Sequence, residues 1–149
     1  MEITEFLVRA KKTTYAAGGG SPTVLDDGCM ELVYDEDEWS YRDRYFGFNP
    51  FIGEEVVFKE DVPVWGMNYH GMTLVEAPAS QEIYDFLMEA LSLVTLDRPF
   101  RGPDKLLRDD WSYVMNIVGT VSEFHGSEII RHKGVDVYQL RFHGGEINK

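Results

Sequence analysis

The 149-residue chain carries 26 acidic against 14 basic residues, a net charge of −12, with 44% hydrophobic and 13% aromatic residues. That balance supplies a core for one domain and excludes a disordered acidic tail. It also excludes duplex nucleic acid as a direct partner. Phosphate binding draws its affinity from clustered Lys and Arg, and the best basic stretch here is Arg131-His132-Lys133. Cys29 is the only cysteine, so no intrachain disulfide forms and nothing argues for export. Met1 to Lys12 lacks the apolar stretch of a signal peptide, and no run approaches the ~18 apolar residues of a membrane span. The sequence therefore reads as a cytoplasmic protein with no membrane partner.

The first predicted element is a helix over residues 2–15. Ile3, Phe6, Leu7 and Ala10 fall at i, i+3, i+4 and i+7, the stripe of an amphipathic helix packing on one face. Residues 16–38 read as an insertion. Within it Gly18-Gly19-Gly20-Ser21-Pro22 is a loop, and Met30, Leu32 and Tyr34 alternate with Glu31 and Val33 as an extra strand near 29–35. A three-stranded meander follows over 39–71, its last two strands, Glu54–Lys59 and Val62–His70, turning at Glu60-Asp61. A second helix covers 81–94, with Ser80 as N-cap. Arg101-Gly102-Pro103 is a turn in the short connection Phe100–Asp110. The second meander begins at Trp111 and turns at Lys133-Gly134, between Ser127–His132 and Val135–His143.

The chain repeats itself. Trp39-Ser40-Tyr41 recurs 72 residues later as Trp111-Ser112-Tyr113, and Gly47 as Gly119. After one inserted residue Phe51, Gly53, Glu55, Val62, Val64 and His70-Gly71 recur as Phe124, Gly126, Glu128, Val135, Val137 and His143-Gly144. The helices match too, Glu2, Ile3, Phe6, Leu7 and Ala10 with Glu82, Ile83, Phe86, Leu87 and Ala90. The expected fold is a single α+β domain, an internal duplication α-βββ-α-βββ plus the extra strand. Repeat 1 covers about 2–72 and repeat 2 about 81–145, with an antiparallel sheet and two helices packed on one face.

Continuing each hairpin ladder without interruption sets Glu55 opposite Gly66 and Glu128 opposite Gln139. Trp65, Met67, Tyr69, Tyr138, Leu140 and Phe142 then face the helices and form the core with Ile3, Phe6, Leu7, Ile83, Phe86 and Leu87. The other face carries Glu55, Asn68 and His70 in one copy and Glu128, Arg141 and His143 in the other. The functional expectation is a cleft between the copies. Glu55 and Glu128 would attract a small cationic or aromatic ligand there, and Trp39, Tyr41, Trp111 and Tyr113 would stack on it. The alternative is structural: each Glu sits in a Gly-x-Glu bulge and each His-Gly ends a strand.

Other chemistries fit less well. Glu128 and His132 lie about 13 Å apart along one strand, so with His125 they make no compact metal set, and no cofactor motif occurs. Cys29 has no neighbouring base, and no Gly-x-Ser-x-Gly elbow is present. Three function classes stay open: a small-molecule-binding module; an interaction domain or homodimer using the edge of strand Met30–Tyr34; and an enzyme using a buried carboxylate.

Several motifs together resemble a prokaryotic domain family of unknown function. They are Tyr41-Arg42-Asp43-Arg44-Tyr45-Phe46-Gly47, Phe51-Ile52-Gly53-Glu54-Glu55, Val64-Trp65-Gly66-Met67-Asn68-Tyr69, Pro99-Phe100-Arg101-Gly102-Pro103 and Phe142-His143-Gly144-Gly145. Members of that family occur alone or behind an Xre-type helix-turn-helix, which this chain lacks, and the resemblance implies no catalytic residues. The repeated helix–three-strand order is also similar, by cyclic permutation, to gyrase-inhibitor-like multidrug-binding domains. That similarity implies a cationic aromatic ligand held between two halves.

Overall fold

The computed structural model describes residues 1–14 and 21–148. Helix α1 spans Ile3–Thr13, with the Glu2 backbone N–H bonded to Glu5 at 3.1 Å in its first turn. Tyr15 and the predicted glycine loop at Gly18–Gly20 lie outside the described residues. Helix α2 spans Ser80–Leu91. Ser80 is its first helical residue rather than its N-cap; Ala79 takes that position and offers no side-chain acceptor.

Among the described residues nine strands form one antiparallel sheet: β1 Thr23–Val24, β2 Met30–Glu36, β3 Trp39–Gly47, β4 Phe51–Lys59, β5 Val62–Thr73, β6 Lys105–Arg108, β7 Trp111–Thr120, β8 Glu123–His132 and β9 Val135–Glu146. Their spatial order is β1-β2-β3-β4-β5-β9-β8-β7-β6. The extra strand near 29–35 is β2. The short connection Phe100–Asp110 holds a strand that the sequence reading missed, β6, which pairs with β7 as β2 pairs with β3. Strand β2 is covered at one end only, where Thr23 and Val24 pair with Glu31 and Met30; from Leu32 onward its outer side carries no strand among the described residues.

The hairpins β4–β5 and β8–β9 turn where expected. Glu60 and Asp61, then Lys133 and Gly134, all adopt φ between 50° and 78°, the left-handed pair of a type I′ turn. Each ladder then breaks. The register shifts between Val57 and Phe58, and between Ile130 and Arg131, so that one residue, Val64 or Val137, is left over. Such a bulge inverts the facing of everything beyond it. Glu55 therefore pairs with Met67 and Glu128 with Leu140, not with Gly66 and Gln139. Both glutamates point to the inner face.

That inner face is the core. Tyr41, Val57, Trp65, Met67, Tyr69, Tyr113, Ile130, Tyr138, Leu140 and Phe142 cluster with Phe6, Leu7 and Ala10 of α1 and Ile83, Phe86, Leu87 and Ala90 of α2. Ile3, expected in the core, is half-buried against it. Phe6 stacks on Trp39 with ring centroids 5.4 Å apart, and Phe86 meets Trp111 at 5.3 Å. On the sheet side Lys59 lies over Trp39 and His132 against Trp111. Gly53 and Gly126 recur because rings lie across them. A methyl group at either would sit 2.5 Å from the Tyr69 hydroxyl or the Phe142 ring.

Candidate functional site

Two tyrosine–glutamate pairs are built alike. On one side Tyr41 donates to Glu55 Oε1 at 2.5 Å; on the other Tyr113 donates to Glu128 Oε2. Both glutamates have 0% exposure, and a buried carboxylate needs a cation and donors to offset lost hydration. The cations come from different places. Lys11, on the apolar side of α1, donates to Glu55 Oε1 at 2.5 Å and to the Phe100 carbonyl at 2.7 Å. Arg101, in the loop after α2, donates to Glu128 Oε1 through Nε and Nη2 at 3.1 and 3.0 Å. Tyr138 adds a third donor to that oxygen at 3.1 Å. Burial pushes the Lys11 ammonium down from its ordinary value, and Glu55 opposes the shift. Burial and Glu128 together hold the Tyr113 and Tyr138 hydroxyls far above theirs, so both stay donors.

A third buried acid breaks the likeness. Asp43, 4% exposed, lies on β3 directly opposite Glu55, and the residue at the same place on β7, two after Tyr113, is Met115. Tyr69 donates to its Oδ1 at 2.5 Å, but no cation among the described residues bonds it. Its carboxyl is pushed up to about 7, first by burial and then by the neighbouring Glu55, with Tyr69, Arg101 and Lys11 pulling the other way. Beside it, Glu55 Oε2 is buried without a hydrogen-bond partner. Three carboxylates thus share two cations.

Asp43 and Tyr69 line a cavity of about 250 Å³ between α2 and strands β2–β5. Its walls are apolar or aromatic, including Leu32, Phe51, Tyr84, Leu87 and Met88, and residues from both repeat segments contribute. The Tyr84 hydroxyl, pushed up to about 12 by burial, donates to the Phe48 carbonyl at 2.9 Å. Arg101 also lines the cavity, but its edge serves Glu128 and its face lies 5.4 Å over the Tyr69 ring.

The ten residues expected to share one groove are divided between two faces. Glu55, Glu128, Tyr41 and Tyr113 form the inner network, and Trp39 and Trp111 pack against helix phenylalanines. Asn68, His70, Arg141 and His143 lie on the outer face and are exposed. Glu55 contributes, with Asn68 and His143, to the lining of a depression of about 500 Å³, but its side chain is fully buried; the bulges turn both carboxylates inward, away from the histidines. The weighed metal set is also split: Glu128 points inward, while His125 is exposed on the outer face and His132 rests on Trp111.

Sequence reasoning missed Asp43, Lys11 and Arg101. Asp43 had a signal, since it falls in phase with Trp39, Tyr41 and Tyr45 on one face of a strand. Lys11 had a weaker one, adjoining the stripe of Leu7 and Ala10. Arg101 had none beyond its place in a quoted motif.

Fold and site together define an α+β domain with a nine-stranded antiparallel sheet and a buried ionic network under its helices. The chain belongs to the family described as a domain of unknown function (DUF5680), which matches residues 43–147. The match takes in Asp43, Glu55, Arg101 and Glu128. No curated protein and no solved structure matches the chain.

Proposed function

We propose that this domain is a small-molecule-binding module whose ligand is a compact monocation with an apolar body, such as an aromatic or aliphatic amine. One observation carries the reading: Asp43 is the acid left over once Lys11 serves Glu55 and Arg101 serves Glu128, and it lines an apolar cavity. A carboxylate there has lost much of its hydration, so an ammonium group is attracted more strongly than at an open surface. Tyr45, Tyr69 and Tyr84 offer ring faces of the kind that hold such cations. The cavity's size, about 250 Å³, lies at the small end of the range for organic ligands. Without a ligand, a proton on Asp43 fills the same charge deficit.

We further read the two halves as a duplication of one helix-and-meander unit, with both helices on the inner face. The matched Phe6–Trp39 and Phe86–Trp111 contacts and the matched tyrosine–glutamate pairs support this. In such a pair of copies, the unmatched residue Asp43 is where a specific role is expected.

The test is thermal unfolding with phenethylamine and its neutral isostere 2-phenylethanol at pH 7.5, followed by calorimetry in two buffers. A ligand that binds only the folded state raises stability by about 2.7 kcal/mol at a hundred times its Kd. The amine should stabilise, release a fraction of a proton, and lose its effect in Asp43→Asn. Equal stabilisation by the alcohol, or an undiminished amine effect in the variant, overturns the reading. A proton-transfer enzyme is the second reading, favoured by a carboxyl poised near neutrality. It requires turnover that Asp43→Asn abolishes while ligand binding persists.

A further inference from the structure

The outer face of the sheet holds a second and larger depression, about 970 Å³, centred where β5 meets β9. Its polar groups converge through register. Asn68 lies opposite His143 and His70 opposite Arg141 across the β5–β9 seam, and His125 on β8 lies opposite His143. Directly paired side chains on one face stand about 5 Å apart at Cβ, so these five form one compact patch. All five are exposed, and none makes a side-chain hydrogen bond or ion pair with a described residue. Three of the four histidines of the chain are gathered here, in a protein of charge −12.

The charges around the patch are uneven. On the first-repeat side Glu54 adjoins Asn68, Asp27 stands at the rim, and Arg44 is bonded to Glu31 at 2.6 Å. On the second-repeat side the position matching Glu54 is Ser127, directly opposite Arg141. Arg141 is thus the cation with no acid beside it.

We propose that this depression binds a small oxyanion of the phosphate or sulfate type, free or as the end group of a small molecule. Arg141 holds it, and His70, His125 and His143 add donors and charge. A guanidinium presents paired N–H groups that match two oxygens of such an anion. Each imidazole adds an N–H donor, and a further positive group once protonated. The overall negative charge opposes approach, but at physiological salt it is screened beyond about 8 Å, so the local donors decide. Binding should therefore strengthen as pH falls through the histidine range, opposed by Asp27 and Glu54 at the rim and by Glu123, which lies near His143.

Sulfate keeps its charge across that range, so any pH dependence belongs to the protein. The experiment is an NMR titration with sodium sulfate at pH 6 and pH 8, at ionic strength held constant with sodium chloride. The expected result is saturable binding at pH 6, with shifts in the rings of His70 and His143, and affinity about tenfold lower at pH 8. Arg141→Ala should weaken binding by about tenfold or more with its melting temperature unchanged, because the side chain is exposed. The triple variant His70→Asn, His125→Asn and His143→Asn should remove the pH dependence. Comparing inorganic phosphate with phenyl phosphate assigns the source: the tighter of the two shows whether the anion is free or an end group. A linear response, reproduction by chloride, or unchanged binding in Arg141→Ala overturns the proposal.

Discussion

Replacing Asp43 with Asn removes the buried acid that neither Lys11 nor Arg101 bonds, while keeping an acceptor for the Tyr69 hydroxyl. Burial, aided by Glu55, raises this carboxyl from 3.8 to about 7. A carboxyl with a higher proton affinity in the folded state binds more protons folded than unfolded between those two values. Stability therefore falls as pH rises from about 4 to about 7, and the loss levels off above. A difference of that size corresponds to roughly 4 kcal/mol, at about 1.4 kcal/mol per tenfold change in affinity. The amide resembles the protonated acid and escapes the loss. Urea unfolding followed by tryptophan fluorescence, from pH 4.5 to pH 8, should give nearly coincident stabilities at the acid end. At pH 8 the variant should be more stable by roughly 2–4 kcal/mol. Parallel curves, or a variant less stable at pH 8, would refute the reasoning, because Asp43 would then be ionised and compensated in the native protein.

Three further outcomes are expected. Phe86→Ala removes a buried ring packed on Trp111 and should cost roughly 3–5 kcal/mol in chemical denaturation; a loss near zero would show that α2 does not pack as described. Arg101→Met leaves Glu128 buried without its cation and should cost roughly 3–5 kcal/mol, much of it recovered when Glu128→Gln is added; equilibrium unfolding of both variants checks this. Duplex DNA should not be bound at physiological salt, which a gel shift at micromolar protein would reveal.

The elements were legible in the sequence because they rest on local signals. The apolar spacing of Phe6, Leu7 and Ala10, repeated at Phe86, Leu87 and Ala90, specifies two helices, and Lys133-Gly134 specifies a turn. The inner face from Trp65 to Tyr69 was legible for the same reason. Glu55 and Glu128 were assigned to the wrong side because facing depends on register. A single extra residue, Val64 or Val137, inverts it, and its mark is a one-residue step in the apolar alternation, with Val137 and Tyr138 both buried. The strand Lys105–Arg108 was hidden by its length. The ionic network was harder still: Lys11 and Arg101 reach their acids from 44 and 27 residues away, and no short-range pattern encodes such a meeting. Gly53 and Gly126 did carry information, since their recurrence marks where a cross-strand ring must lie flat.

The seam between β5 and β9 has a consequence for how the chain is completed. These are twelve-residue strands, the longest among those described, and they meet in the middle of the sheet, pairing Trp65–Thr73 with Tyr138–Glu146. During synthesis β5 emerges as an open edge, and its partner β9 follows only after α2 and strands β6 to β8. Until then the nascent chain presents an unpaired template to any neighbouring strand, the situation that invites mispairing. Removing the last dozen residues would likewise take the central strand rather than trim the rim. Strand β9 is therefore the keystone of the sheet, and deletion of residues 135–146 should be the one least tolerated.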